Sequence, residues 1–226
     1  MRKGTYIRYV ALRKLINIES NNYREILDLG GFDGFISYNL KKSSNNINIT
    51  VVDLDAKGLD IAKKRGLNTL KSSITDLKLI PSETIDLILC LDAIEHVKDD
   101  KKLIHEISRV LKTNGKFFLT TPNKKGVLFP FVPKIKSLKI NKQWGHLRLG
   151  YSREELKTLL HKYNLRILKH DKYFNFFSKL AYYWLDFFYF IPEIIRNIFF
   201  KIIVNLEPYI KFGSSEIIII GCKNTE

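Results

Sequence analysis

The sequence predicts an α/β chain: a doubly wound, mostly parallel sheet with helices on both faces and a helical aromatic insertion before the last strand. Apolar runs of strand length recur along the 226 residues, most too continuous to alternate, as befits strands buried on both faces. Amphipathic helical stretches separate them, and that alternation marks a parallel sheet with crossover helices. A glycine-rich turn closes the first run, and ligands in such sheets bind outside the carboxyl ends of the strands.

The strand runs are "EILDL" (25–29), "NITVVDL" (48–54), "IDLILCL" (85–91), "GKFFLTTP" (115–122), "LRILKHD" (165–171) and "SEIIIIGCK" (215–223). Helices are expected over 34–42, 56–65, 99–112 and 152–163. In the third of these Leu103, Ile104, Ile107, Val110 and Leu111 share one face, and Asn114-Gly115 supplies the C-terminal cap. In the fourth Ser152 is the N-cap and Glu155 completes a capping box.

No internal repeat or low-complexity tract divides the chain, so 1–226 reads as a single domain. Its start, "MRKGTYIRYVALRKLI", is interrupted by charges and lacks the apolar run and small cleavage-site residues of a signal peptide, so a cytoplasmic protein is expected. Cys90 and Cys222 each sit in an apolar run, where a thiol is a small buried hydrophobe; neither a disulfide nor a cysteine metal site is expected. The net charge of +15 is uneven: residues 123–172 hold thirteen Lys/Arg against three Asp/Glu. Such a face suits an anionic partner, whether a phospholipid surface, a phosphate-bearing substrate or nucleic acid.

At the first turn, "LDLGGFDG", glycine is wanted where φ is positive or a ligand touches the backbone, and Gly30, Gly31 and Gly34 meet that need. The helix N-terminus behind them offers unpaired N–H groups. Asp53 ends the next strand, where a carboxylate accepts hydrogen bonds from two ribose hydroxyls. A dinucleotide fingerprint wants glycine at position 32, and the sequence has Phe32, which argues against NAD.

With these residues in view the sequence resembles the class I S-adenosylmethionine-dependent methyltransferases, in particular the type 11 group related to quinone-biosynthesis methyltransferases. "ILDLGGFDG" is similar to their first motif and "VVDLD" to their second. "IDLILCLDAIEHV" is similar to the strand and loop under the methionine end of the cofactor, and "ISRVLKTNGKFFLTTPN" to the helix, turn and strand that follow. The resemblance covers about residues 23–123. It implies a seven-stranded Rossmann-like methyltransferase fold with a cofactor-binding core over about 20–122 and S-adenosyl-L-methionine as cofactor. Asp28, Gly30 and Gly34, with Gly31 in the same turn, would surround the methionine moiety. Asp53 would hold the ribose, Leu54 would lie against the adenine and Leu91 would face the methionine side. Two departures stand out. Phe32 replaces a glycine and is expected over the cofactor mouth or against the N-terminal segment, and the acid that meets the adenine amino group in the family gives way to Ser73-Ile74, with Asp76 just beyond.

Methyl transfer is an in-line displacement governed by positioning, and a hydroxyl acceptor also needs a base for its proton. His96, in "LDAIEHV" after the fourth of the motif strands, is the candidate base; its bland alternative is a brace for that loop. Asp92, Glu95, His96 and His146 would supply four N/O ligands to a divalent ion, an arrangement resembling small-RNA 2′-O-methyltransferases. That family has a glutamate where this chain has Asp92, so no metal is expected.

Residues 123–150 read as a basic lid without strong periodicity, containing "VLFPFVP" and Trp144, with His146 and Arg148 placed to meet substrate. Residues 173–212 are aromatic but interrupted by Lys179, Asp186, Glu193, Arg196 and Lys201 and divided by Pro192, so they read as two helices rather than a membrane span. In the second, Ile194, Ile195, Ile198, Phe199, Ile202, Ile203 and Leu206 form one apolar face opposed by Arg196, Asn197, Lys201 and Asn205. Such a helix suits a membrane interface, a homodimer contact or a cover over the substrate.

These readings lead to O-methylation of an amphipathic small-molecule, lipid-linked or glycan acceptor, on a protein peripheral to the inner face of the membrane. A non-catalytic cofactor-binding or membrane-interaction protein is the alternative; cofactor binding without turnover would favour it. Nucleic acid is not the expected partner, because the aromatics are not interleaved with the basic residues as stacking platforms would be.

Overall fold

The computed structural model describes residues 2–16, 23–43 and 46–225; the start of the core at about residue 20 lies outside them. Its centre is a seven-stranded sheet. In chain order the strands are β1 (Glu25–Leu29), β2 (Asn48–Asp53), β3 (Asn68–Lys71), β4 (Ile85–Leu91), β5 (Leu111–Pro122), β6 (Leu165–Tyr173) and β7 (Glu216–Lys223). The spatial order is β3-β2-β1-β4-β5-β7-β6. The first five run parallel, and β7 is antiparallel to both β5 and β6. The chain order reverses at β1 and β4, so a crevice opens beyond the carboxyl ends of those strands.

The expected doubly wound class is therefore observed, as are six of its strands near their expected limits. β3 went unseen because "NTLK" is short and polar at its ends, as an edge strand is. The helices α2 (Phe35–Lys41), α3 (Ala56–Lys64) and α6 (Arg153–His161) fall where expected. On α6 the capping box is complete: Ser152 Oγ accepts from the Glu155 N–H at 3.1 Å and Glu155 Oε2 from the Ser152 N–H at 2.7 Å. α4 (Asp100–Val110) ends earlier than expected. The chain passes directly into β5, and Asn114-Gly115 forms a register break in that strand instead of a helix cap; Asn114 has φ of 63°.

Two apolar layers cover the sheet. Ile104, Ile107, Leu156 and Leu160 of α4 and α6 pack on one face. On the other face lie α1 (Lys3–Leu12), α2 and α3, joined by Ala181 of α7 (Phe176–Trp184) and by Phe200 and Val204 of α8 (Glu193–Val204). α1 was not expected, although Ile7, Val10 and Ala11 carry its helical spacing.

One expectation about the later segments changes. The lid contains a regular helix, α5 (Lys134–Gln143), and its preceding loop is pinned: Asn141 accepts from the Val127 N–H and donates to the Val127 and Ser137 carbonyls, all within 2.8 Å. The two helices of the insertion form as expected, yet α8 buries Phe200 and Val204. Most of the apolar face singled out in the sequence, from Ile194 and Ile195 through Ile198, Phe199, Ile202 and Leu206, is exposed. No helix among the described residues is long and apolar enough to cross a membrane.

Candidate active site

A cavity of about 550 Å³ occupies the crevice, within the ~300–1,000 Å³ of small-molecule sites. Strand ends and loops build its floor through Gly30, Asp53, Leu54, Ser73, Ile74, Leu91 and Asp92. α1 and the preceding Arg2 roof it, α1 through Thr5, Ile7 and Arg8.

At one end Gly30 adopts φ of 73°, and a Cβ there would stand 3.0 Å from Ala93 Cβ, so only glycine lets the turn pass the β4 loop without displacement. Asp53 holds the turn to the second strand: Oδ2 accepts the Phe32 N–H at 2.9 Å and Oδ1 the Asp55 N–H at 2.9 Å. Each oxygen retains a lone pair for a further donor. Leu54 and Ile74 offer apolar surface beside it. Asp28, Gly31 and Gly34 do not line the cavity; they set its turn. Asp28 is buried, accepts from Ser37 Oγ at 2.6 Å, and is so close to Gly31 that a Cβ there would fall 2.4 Å from its Oδ2. Burial pushes the Asp28 carboxyl up to about 6. Gly34, with φ of 62°, opens α2.

Phe32 turns away from the cavity mouth. Its ring packs on Gly58 of α3 and carries the Arg2 guanidinium 3.9 Å above its centroid, tying the N-terminal segment to the turn. Of the two alternatives read from the sequence, contact with that segment is the one observed.

The other end of the cavity is polar. Asp92, at φ of 48° after β4, accepts from Arg8 Nε at 2.8 Å, from Thr120 Oγ1 at 2.5 Å and from the Tyr173 hydroxyl at 2.7 Å. Glu95 is fully buried; its Oε2 accepts from Thr121 at 3.2 Å, while Oε1 has no hydrogen-bond partner. Burial beside Asp92 raises its carboxyl. His96 lines the cavity and its Nδ1 lies 3.1 Å from the Gly145 carbonyl. With Nδ1–H donating there, Nε2 is left to accept and lies 3.9 Å from Glu95 Oε1. His146 also lines the cavity, its Nε2 4.0 Å from the same oxygen and its Nδ1 buried without a partner. Burial and the neighbouring His96 lower His146 to about 4.

Of the four groups weighed as metal ligands, Glu95, His96 and His146 offer atoms within 4.8 Å of one another, whereas Asp92 is engaged by Arg8 and Tyr173. Arg148 departs from its expected role. It reaches Asp100 at 2.6 Å and the Val97 and Lys98 carbonyls, outside the cavity lining, and so braces the loop that carries His96. Arg8, Tyr173 and Glu216 were missed: they come from α1, β6 and β7, far from the motifs in sequence, and only strand pairing brings them in.

This arrangement has the class I methyltransferase fold, and comparison with known proteins agrees. Residues 27–119 match the family described as "Methyltransferase domain". Ubiquinone biosynthesis O-methyltransferases from Vibrio parahaemolyticus and Colwellia psychrerythraea are 28% and 32% identical over 131 and 125 residues, covering 54% and 51% of this chain. The chain spans about half the length of these curated relatives, 55% and 50%. Over nearly the whole chain the fold is similar to a SAM-dependent methyltransferase from Archaeoglobus fulgidus, with a TM-score of 0.67 at 18% identity, covering 98% of this chain and 95% of that one. It is also similar to geranyl diphosphate C-methyltransferase from Streptomyces coelicolor, crystallised with S-adenosyl-L-homocysteine, at a TM-score of 0.62 and 14% identity, covering 88% and 71%.

Proposed function

We propose that the chain is an S-adenosylmethionine-dependent methyltransferase, acting as one domain over 1–226, that methylates a hydroxyl of an amphipathic acceptor. The single observation that carries this is the cavity itself: a carboxylate at the end of β2 with apolar neighbours at one end, and a histidine nitrogen free to take a proton at the other. The residues present fit the cofactor. Asp53 keeps lone pairs for two ribose hydroxyls, Leu54 and Ile74 offer apolar lining for a flat ring, and Gly30 admits close approach to the backbone. When bound, the cofactor supplies a methyl group on a sulfonium. The protein's part is to exclude water under α1, hold the acceptor against Asp92 and Leu91, and accept the hydroxyl proton at His96 Nε2.

The acceptor is read as lipid-linked or similarly amphipathic because α8, with its exposed apolar face, packs on α7, whose aromatic cluster in turn meets a basic helix. Trp184 Nε1 of α7 donates to the Pro130 carbonyl, and Lys136 of α5 lies 5.9 Å from the Tyr183 ring. Lys134, Lys136, Lys139 and Lys142 are all exposed on that helix. Apolar and cationic groups on adjoining surfaces suit an anionic cytoplasmic bilayer.

A second reading is favoured by one observation: the unpartnered Glu95 Oε1 and His146 Nδ1 beside His96. The residue types fit a divalent cation, which would act as a Lewis acid on the acceptor oxygen and leave His96 a ligand instead of a base.

One experiment addresses both. Transfer of labelled methyl from S-adenosylmethionine to a membrane extract is measured for the wild type, for His96→Gln, and after exhaustive chelation. We expect transfer by the chelated wild type and a loss of about 10²-fold or more in His96→Gln with cofactor binding retained. Unchanged turnover in the variant overturns the base; activity lost on chelation and restored by a divalent salt establishes the metal. Cofactor binding with no transfer to any extract favours a non-catalytic protein.

A further inference from the structure

Glu216 is the first residue of β7 and pairs with Pro122 of β5 and Tyr173 of β6. Because β7 runs antiparallel to both, its first residue, not its last, lies beside the carboxyl ends where the cavity opens. The residue is 5% exposed and lines the cavity, and its Oε2 is buried with no hydrogen-bond partner. A buried polar atom left unpaired costs free energy that a ligand donor would recover.

The charges around it decide what that donor can be. Asp92, Glu95 and Glu216 line this end of the cavity, and Arg8, which lines it beside them, is engaged by Asp92. Lys179 stands behind, buried, with its Nζ donating to Ser215 Oγ at 2.7 Å. Burial lowers that ammonium to about 8 and, with the nearby Asp92 and Glu95, raises the Glu216 carboxyl well above its ordinary value. The inner end of the cavity therefore carries an excess of acidic groups beneath a basic exterior. At this end an anionic group on the acceptor would face three carboxyl groups and an Arg8 already held by Asp92, while Arg2, the other arginine of the lining, sits over Phe32 beside Asp33; a hydroxyl or ammonium would satisfy the open oxygen.

We propose that Glu216 selects the acceptor: its Oε2 receives a hydrogen bond from a neutral or cationic donor at the acceptor's reacting end, and acceptors with an anionic group there are turned away. This rests on the transferase reading and narrows its substrate class. The outer basic surface and the inner acidic wall then have separate partners, anionic headgroups outside and a hydrogen-bond-donating acceptor inside.

The test uses the full chain, labelled S-adenosylmethionine and a membrane extract of the native cells, with the labelled product sorted by ion exchange into anionic, neutral and cationic fractions. S-adenosylhomocysteine binding by calorimetry runs alongside. The wild type is expected to label neutral or cationic product. Glu216→Gln should bind S-adenosylhomocysteine as the wild type does but require about tenfold more extract for half-maximal transfer, with the maximal rate far less affected. Glu216→Asp, which withdraws the carboxylate by one methylene, should move the same way and serves if the glutamine variant does not fold. An anionic labelled product, or variants that match the wild type across the dilution series, overturns the proposal. S-adenosylhomocysteine binding with no labelled product from the wild type removes the transferase reading first, and this proposal with it.

Discussion

Asp28 shows how the glycine turn after β1 is held at the level of single atoms. Its carboxyl is buried against Gly31 and accepts from Ser37, and burial raises it to about 6 from an ordinary 3.8. The folded chain thus binds this proton more tightly than the unfolded chain does. The stability it contributes is complete below about pH 4 and is lost as pH rises through about 6. Asp28→Asn is expected to flatten stability between pH 4 and 7 and to exceed the wild type by up to about 3 kcal/mol at pH 7. Denaturant unfolding across that range checks it; parallel curves for the two proteins would contradict the assignment. Phe32 belongs to the same scale. Its place in the turn was legible as a departure from a glycine pattern, but its direction was not, because Gly58 and Arg2, which receive the ring, lie about 26 and 30 residues away along the chain. The cavity end proposed for the cofactor is lined by Gly30, Asp53 and Leu54, which were legible because a strand, a tight turn and a second strand end are local patterns.

Elements that owe their place to long-range pairing were the ones missed. β3 and α1 carry weak local signals, and the acidic wall depends on β6 and β7 meeting β5 out of chain order. α1 is anchored by Arg8 on Asp92, by the Tyr6 ring near Phe200 and by Lys3 on Asp186, so it joins the insertion to the site. Arg8→Met would leave a largely buried Asp92 without its cation and is expected to cost about 3 kcal/mol in denaturant unfolding. Adding Asp92→Asn should recover part of that loss. A single variant as stable as the wild type would show that α1 is not held this way.

At the scale of the whole molecule, charge and apolar exposure are organised by side. The net charge of +15 coexists with an acidic inner cavity, and the face of α8 read as amphipathic points outward, with α8 anchored through Phe200 and Val204. Periodicity identified the apolar residues correctly but not which stripe the sheet would bury, because two apolar stripes share that helix. Ile195 and Ile198 are 43% and 52% exposed. Replacing both with Glu should leave stability within about 0.5 kcal/mol per site while abolishing sedimentation with anionic vesicles at low salt. Undiminished sedimentation would contradict the docking account, and a wild-type dimer dissolved by the same change would assign the face to self-association.

The turn after β1 and the Asp53 carboxylate that ends β2 are proposed to cradle a nucleoside cofactor. This is tested most directly by titrating S-adenosylhomocysteine into the wild type and Asp53→Ala by calorimetry. The account predicts binding by the wild type and a dissociation constant on the order of a hundredfold weaker in the variant, as the loss of two hydrogen bonds to a carboxylate requires. Equal affinity in the two proteins, or no binding by a folded wild type, would contradict it.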